Sequence, residues 1–444
     1  MRLRFTYLLA AVSLVFGADQ AAGPLQLSLK RAVEIATSAE GNTNIQLAGE
    51  ALKQAQSRSA ESRAALLPDV EGQFTDQSRT ENLAALGLTS IALPVPGLHF
   101  PDLVGPFTTT DARLTGSQSM FDFSAIRRFQ ASKSGVSSAR SDVENTEERV
   151  AAQVARAYLS AVKADTDLET SRANVKLSQA VLDQAVSLKN AGTGTGIEVT
   201  RARVQLANDQ QHLLVAENGR RSARLQLLRA MNLRLTTEFD LTDKLQYIPV
   251  DALTIEQAEA QALAGRPDYR AQQERESTAR LSANATKMER LPSVAAFGDY
   301  GAIGTGLGNS LPTRTYGVQV RVPIFDGGRR DARRAESESQ YRAERARTSD
   351  LRAQVELDVR LALDALKSAE DEVKVARDGL ELSDNELAQA RRRYDAGVTN
   401  SIEVTDAQTR LERARDNQTA ALYAFNMARI DLAEAMGKVR ATVQ

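Results

Sequence analysis

The chain has 444 residues, 56 of them Lys or Arg and 57 Asp or Glu, for a formal net charge of −1. That balance argues against a polyanionic partner, because nucleic-acid binders carry a basic excess. With no cysteine and two histidines, His99 and His212, the chain has no disulfide framework, no cysteine nucleophile and no multi-histidine metal centre.

In chain order, Arg2 and Arg4 precede an apolar run from Phe5 to Phe16, followed by Gly17 and Ala18. This is the pattern of an export signal, expected over residues 1–18 with cleavage between 17 and 22. The run is shorter than the roughly 20 residues a membrane-spanning helix needs. No later stretch has that character, so any membrane crossing is expected of a β-barrel.

The rest divides into two repeats, 25–230 and 253–437, joined by a linker over 231–252 and followed by a tail over 438–444. Ala191-Gly192 before Ile197-Glu198-Val199-Thr200 matches Ala396-Gly397 before Ile402-Glu403-Val404-Thr405. Ala230-Met231 matches Ala435-Met436, Phe121-Asp122 matches Phe325-Asp326, and Leu67-Pro68 matches Leu291-Pro292. Two long units of this kind are a duplication, not a short-period solenoid. Each repeat predicts a short helix (27–39; 253–263), a second helix ending before a proline (44–66; 267–290) and a hairpin (70–121; 293–325). A very long helix (124–190; 329–395), a glycine turn and a returning helix (197–231; 402–436) follow.

The long helices carry heptads. Val154, Ala161, Leu168, Val175 and Leu182 alternate with Ala157, Ala164, Ser171, Ser178 and Ala185. Val359, Leu366, Val373, Leu380 and Leu387 alternate with Ala362, Ala369, Ala376, Ser383 and Ala390. Large and small residues spaced three and four apart predict knobs-into-holes packing. A proline-free run such as 329–395 would extend about 100 Å as one helix, so a rod is expected. Charged runs such as Arg391-Arg392-Arg393 read as solvated faces.

The hairpin segments alternate with period two. Val70, Gly72 and Phe74 stand against Glu71, Gln73 and Thr75, and Ala112, Leu114, Gly116 and Met120 against Arg113, Thr115, Ser117 and Ser119. Val294, Ala296, Gly298 and Tyr300 form a third set and Tyr316, Val318, Val320 and Val322 a fourth. Loops are expected over 82–110 and 304–313. Segments of this length and alternation suit transmembrane strands. Four strands cannot close a barrel, and an open edge in lipid leaves backbone groups unpaired. Several copies must then share one barrel: eight strands from two, or twelve from three with a wider lumen.

The order of these parts resembles the TolC-type outer-membrane efflux and secretion proteins. The likeness runs from about Leu25 to Gly437. It includes the corners Met120-Phe121-Asp122 and Pro323-Ile324-Phe325-Asp326-Gly327-Gly328, and the turn Tyr394-Asp395-Ala396-Gly397-Val398-Thr399 leading into Ile402-Glu403-Val404-Thr405-Asp406-Ala407. The resemblance implies a mainly α-helical chain with two β-hairpins, forming a homotrimer with a 12-stranded outer-membrane barrel and a coiled-coil tube in the periplasm. It implies a passive exit duct that docks a periplasmic adaptor and a proton- or ATP-driven inner-membrane pump, with no cofactor, no metal and no nucleic acid. The turns at Gly192 and Gly397 would face the adaptor. Glu403 and Asp406 would line the pore as carboxylate rings, which favour cations, and Tyr394 with Glu198 would tie the tip. Thr399 stands where the family prototype has arginine, so a charged lock is not expected there.

No catalytic motif is present. Gly304, Gly306 and Gly308 lie between strands with no helix following, the setting of a hairpin tip and not of a nucleotide loop. His99 and His212 read as exposed and inert. The competing reading is an exported periplasmic coiled-coil scaffold, which explains the heptads but not the four alternating strands.

Overall fold

A computed structural model describes residues 25–38, 41–87, 100–250, 253–399 and 401–443. The export signal and His99 fall outside them. The chain is mainly helical. In the first repeat, strand β1 (Leu25–Leu27) and helices α1 (Leu29–Thr37) and α2 (Thr43–Ala64) precede β2 (Asp69–Asn82) and β3 (Leu103–Phe121). Helix α3 (Phe123–Asn190) then runs 68 residues and α4 (Gly196–Ala230) returns for 35. After β4 (Phe239–Leu241) the plan recurs as α5 (Ile255–Gly265), α6 (Pro267–Met288), β5 (Ser293–Gly304) and β6 (Leu311–Arg321). Helices α7 (Arg329–Asp395), α8 (Ser401–Ala435) and α9 (Val439–Val443) complete the chain.

The helix starts follow local chemistry. The Asp122 carboxylate accepts the Ser124 and Ala125 backbone N–H groups at 2.9 and 3.0 Å, capping α3. At the matching corner Asp326 accepts the Arg330 N–H at 3.1 Å. There Gly327 and Gly328 hold φ values of 69° and 82°, which let the chain turn from strand into α7.

Strands β2, β3, β5 and β6 form one antiparallel sheet in that order. Its register aligns Val70, Gly116, Gly298 and Tyr316 in one row and Gly72, Leu114, Tyr300 and Arg314 in the next. Val70, Phe74, Leu114, Tyr300, Tyr316, Val318 and Val320 are exposed and share one face by this register. Glu71, Thr115, Asp299 and Thr315 make a row on the other. On that polar face Arg113 pairs with Asp111 at 2.7 Å and Asp299 at 3.4 Å. A Cβ on Gly301 would sit 2.4 Å from the Arg113 Cβ, so this position in the sheet requires glycine.

Several features differ from the sequence reading. Residues 103–110, expected in a loop, belong to β3 and pair with the end of β2; Thr108, Thr109 and Thr110 are β-branched residues that suit the extended backbone. A bulge between Ser119 and Phe121 brings Phe121, rather than Met120, opposite Val294. The linker holds β4, which pairs in parallel with β1.

The largest core lies where the middle of α3 meets α1, the end of α4 and the β1–β4 ribbon. It contains Val150, Val154, Tyr158, Leu227, Met231 and Phe239. Tyr158 is fully buried, its hydroxyl within hydrogen-bond reach of the Leu27 carbonyl (2.9 Å) and the Asp243 carboxylate (2.8 Å). Burial, reinforced by Asp243, raises its pKa. Beyond this core α3 pairs with α4, and α7 with α8, along the heptad seam. Ala407, Ala414, Ala421, Ala428 and Ala435 are all buried, with Val404, Leu411, Phe425 and Leu432 between them.

Candidate pore tip

Both long helices end in the same motif. Gly397 has φ 68°; its N–H donates to the Tyr394 carbonyl at 3.0 Å, and the Val398 N–H donates to Arg393 at 2.9 Å. Gly192 has φ 81°; its N–H donates to Lys189 at 3.0 Å, and the Thr193 N–H to Leu188 at 3.1 Å. These paired bonds are Schellman caps, which satisfy the last carbonyls with a left-handed residue. Both glycines face open space: no heavy atom lies within 4 Å of where a Cβ would stand.

The helices returning from these turns carry the acidic residues. The Glu198 carboxylate accepts the Thr195 backbone N–H at 2.8 Å, closing a capping box on α4. Tyr394 packs against Leu387, Ala390, Val404, Ala407 and Leu411. Burial first, then the charges of Glu198 and Asp395, raise the pKa of its phenol. The structure therefore brings Tyr394 and Glu198 into one electrostatic neighbourhood, while the carboxylate itself is engaged by Thr195. A link between the two turns runs through Gln184 of α3, whose amide donates to Asp395 at 2.9 Å.

Glu403 is held on two sides. Arg393 donates to its Oε1 at 2.7 Å, and the Thr399 hydroxyl donates to its Oε2. Asp406 is exposed, and its side chain makes no hydrogen bond or ion pair among the described residues. The two acids stand one turn apart on α8 but differ in partners: Glu403 is engaged and Asp406 is not. The sequence reads Arg393 only as part of a solvated face, whereas it pairs with Glu403; Gln184 is not singled out. The caps carry the missing signal: a Schellman turn brings the last turn of α7 beside the first turn of α8, so residues 393 and 403 can meet.

His212 is exposed on α4. Gly304 ends β5, and Gly306 precedes a short 3₁₀ turn at Leu307–Asn309 that forms the hairpin tip. Among the described residues no group of three or more His, Asp or Glu side chains is placed to hold a metal ion. None of the described helices is long and apolar enough to cross a membrane.

The model of one protein family, the outer membrane efflux proteins, matches residues 35–233 and 260–438. The chain is 24% identical over 417 residues to the pyoverdine export outer membrane protein OpmQ of Pseudomonas putida, covering 92% of this chain and 85% of that one. In fold it is similar to the CmeC outer membrane channel of Campylobacter jejuni, with a TM-score of 0.78 at 16% identity, covering 99% of this chain and 94% of that one. It is also similar to the open state of the Neisseria gonorrhoeae MtrE outer membrane channel, with a TM-score of 0.74 at 18% identity, covering 92% and 88%. Paired glycine caps, a duplicated helix–hairpin–helix plan and a family match over both repeats lead to one assignment: the chain belongs to the outer membrane efflux protein family, the TolC-type non-catalytic channels of efflux and secretion systems.

Proposed function

We propose that three copies of this chain close a 12-stranded barrel in the outer membrane above a continuous periplasmic tube, forming a passive exit duct. The observation that carries this reading is the four-stranded sheet. Among the described residues its outer strands β2 and β6 each pair on one side only, and its apolar face is exposed in the single chain. Lipid would cover that face and neighbouring copies would pair the free edges, since an unpaired edge in hydrocarbon costs several kcal/mol per backbone group. The opposite face, with the Arg113, Asp111 and Asp299 cluster, would then line the lumen. A soluble coiled-coil scaffold gives no reason for such a sheet.

At the other end the turns at Gly192 and Gly397 meet a periplasmic adaptor, which joins the duct to a proton- or ATP-driven inner-membrane pump. Asp406 supplies the free carboxylates of the constriction. Glu403, neutralised by Arg393, serves to hold the turn, and Tyr394 beside Glu198 ties the neighbouring turn to it. Cargo selectivity falls to the pump. Fractionation tests the assignment: a heat-modifiable trimer recovered from outer membranes is expected, and a monomer soluble without detergent would refute it.

A further inference from the structure

On α4, Ala202, Ala216, Ala223 and Ala230 recur every seven residues, and α8 repeats the row as Ala407, Ala421, Ala428 and Ala435. One place breaks the match: α8 has Ala414 where α4 has Asp209. Asp209 is 2% exposed. Gln205 donates to its Oδ1 at 3.0 Å, but Oδ2 has no partner among the described residues. On α8, Gln408 and Glu412 are four residues apart and share a face. Gln408 is 1% exposed with an unpartnered Nε2, and the Glu412 Oε1 is buried without a partner. Three unsatisfied polar atoms thus come from two helices belonging to different repeats, and the Asp209 charge acts on Glu412. An ionised Glu412 there meets both a desolvation penalty and like-charge repulsion from the buried Asp209.

We propose that Glu412 is a proton-operated latch between the two repeats, closed when the carboxyl is neutral and loosened when it ionises against Asp209. This rests on the channel reading and names a regulation of that channel. Glu412 lies about 18 Å along α8 from the tip turn. Repulsion there acts to separate the α3–α4 pair from the α7–α8 pair and so to widen the end of the tube.

The groups facing Glu412 come from several helices. Burial pushes its carboxyl up to about 7, with Asp209 of α4 and Asp416 adding and Arg415 opposing. Arg415 is turned toward α3, where its Nη1 donates to Asn174 at 3.3 Å. Asp416 is itself raised, by burial and then by Asp167 of α3, against Lys163 of α3 and His212 of α4. On the opposite side of α8, Arg410 pairs with Glu386 of α7 at 2.9 Å. Because the folded value for Glu412 lies above that of an ordinary carboxyl, the folded state holds this proton longer than the unfolded chain. The stabilisation is complete below about pH 4.5 and is lost as pH rises through about 7.

The test uses the full trimer, with single-channel current in planar bilayers and thermal melting both followed from about pH 5.5 to about pH 8.5. The wild type is expected to gain conductance and lose melting temperature across about pH 7. Glu412→Gln, neutral at every pH, should abolish both steps and hold the acid-side values. Asp209→Asn should move the midpoint lower, and His212→Gln should leave it in place. A Glu412→Gln trimer that keeps the wild-type steps, or a His212→Gln trimer that loses them, would overturn the latch. Absence of any current in all proteins would refute the channel reading alone, and the melting profiles would still decide the latch.

Discussion

Arg393, in the last turn of α7, lies 2.7 Å from Glu403, in the first turn of α8. The pair spans the turn that reverses the chain, and Thr399 within that turn also donates to Glu403. Thr399 carries no charge, and the ion pair that fastens the turn comes from Arg393 just before it, within the same chain.

This geometry separates the two tip acids. Asp406→Ala is expected to weaken block of single-channel current by multivalent cations about tenfold or more, the change that follows from losing about 1.4 kcal/mol of attraction. Glu403→Ala should change block far less. Arg393→Ala, which frees the Glu403 carboxylate, should strengthen it. Titrations of block in planar bilayers check all three, and equal effects of Asp406→Ala and Glu403→Ala would contradict the assignment.

The glycine caps predict a backbone effect. Gly397→Ala must hold φ near 68°, which costs a residue with a Cβ about 1 kcal/mol, although the site has room for the methyl group. Gly397→Asn should recover part of the loss, because asparagine tolerates this region. Denaturant unfolding of the two variants against wild type measures the difference.

Tyr158→Phe removes a buried hydroxyl from between Leu27 and Asp243, whose carboxylate also accepts the Leu29 N–H at 2.7 Å. The expected cost is about 1.5–3 kcal/mol, the range for a hydrogen bond to a charged group. Cooperative unfolding followed by circular dichroism should give a lower midpoint with unchanged helix content.

Asp122 makes the acid limb testable. Burial works to raise its pKa, but hydrogen bonds from the Ser124 hydroxyl and the Ala125 and Ser124 backbone, with the Arg128 charge, bring it below the ordinary value. Its contribution is therefore present above the unfolded value of about 3.9 and lost as pH falls through the lower folded value. Asp122→Ala should cost about 1 kcal/mol at neutral pH and remove part of the stability lost on acidification, as read from melting temperatures between about pH 6 and pH 3.

Much of the architecture could be read from residue order. The heptads from Val154 to Ala185 and from Val359 to Ala390 announce helices because their spacing and lack of proline leave no other regular structure. Tyr316, Val318 and Val320 announce a strand for the same reason at period two. Strand β4 escaped because three residues carry no period, and its partner β1 lies more than 200 residues away. Residues 103–110 escaped because prolines at 101 and 106 look like loop punctuation. At the tip Glu403 and Asp406 look alike in the sequence. The placement of Arg393 and Thr399 around Glu403 distinguishes them. Asp209 escaped for the opposite reason: an acidic residue on a charged helix reads as solvated, and its burial depends on tertiary packing that no local pattern announces.

The unequal helix lengths have a mechanical consequence. Helix α3 spans 68 residues but α4 only 35, and α7 spans 67 beside the 35 of α8. Toward the sheet the long helices lie instead against α2 and α6, through contacts such as Ser138 to the Ala271 carbonyl at 3.2 Å. The wall therefore has two storeys that share their pillars but not their bracing. Only single uninterrupted helices join the two storeys, so a twist of the lower braces is spread along their length before it reaches the strands.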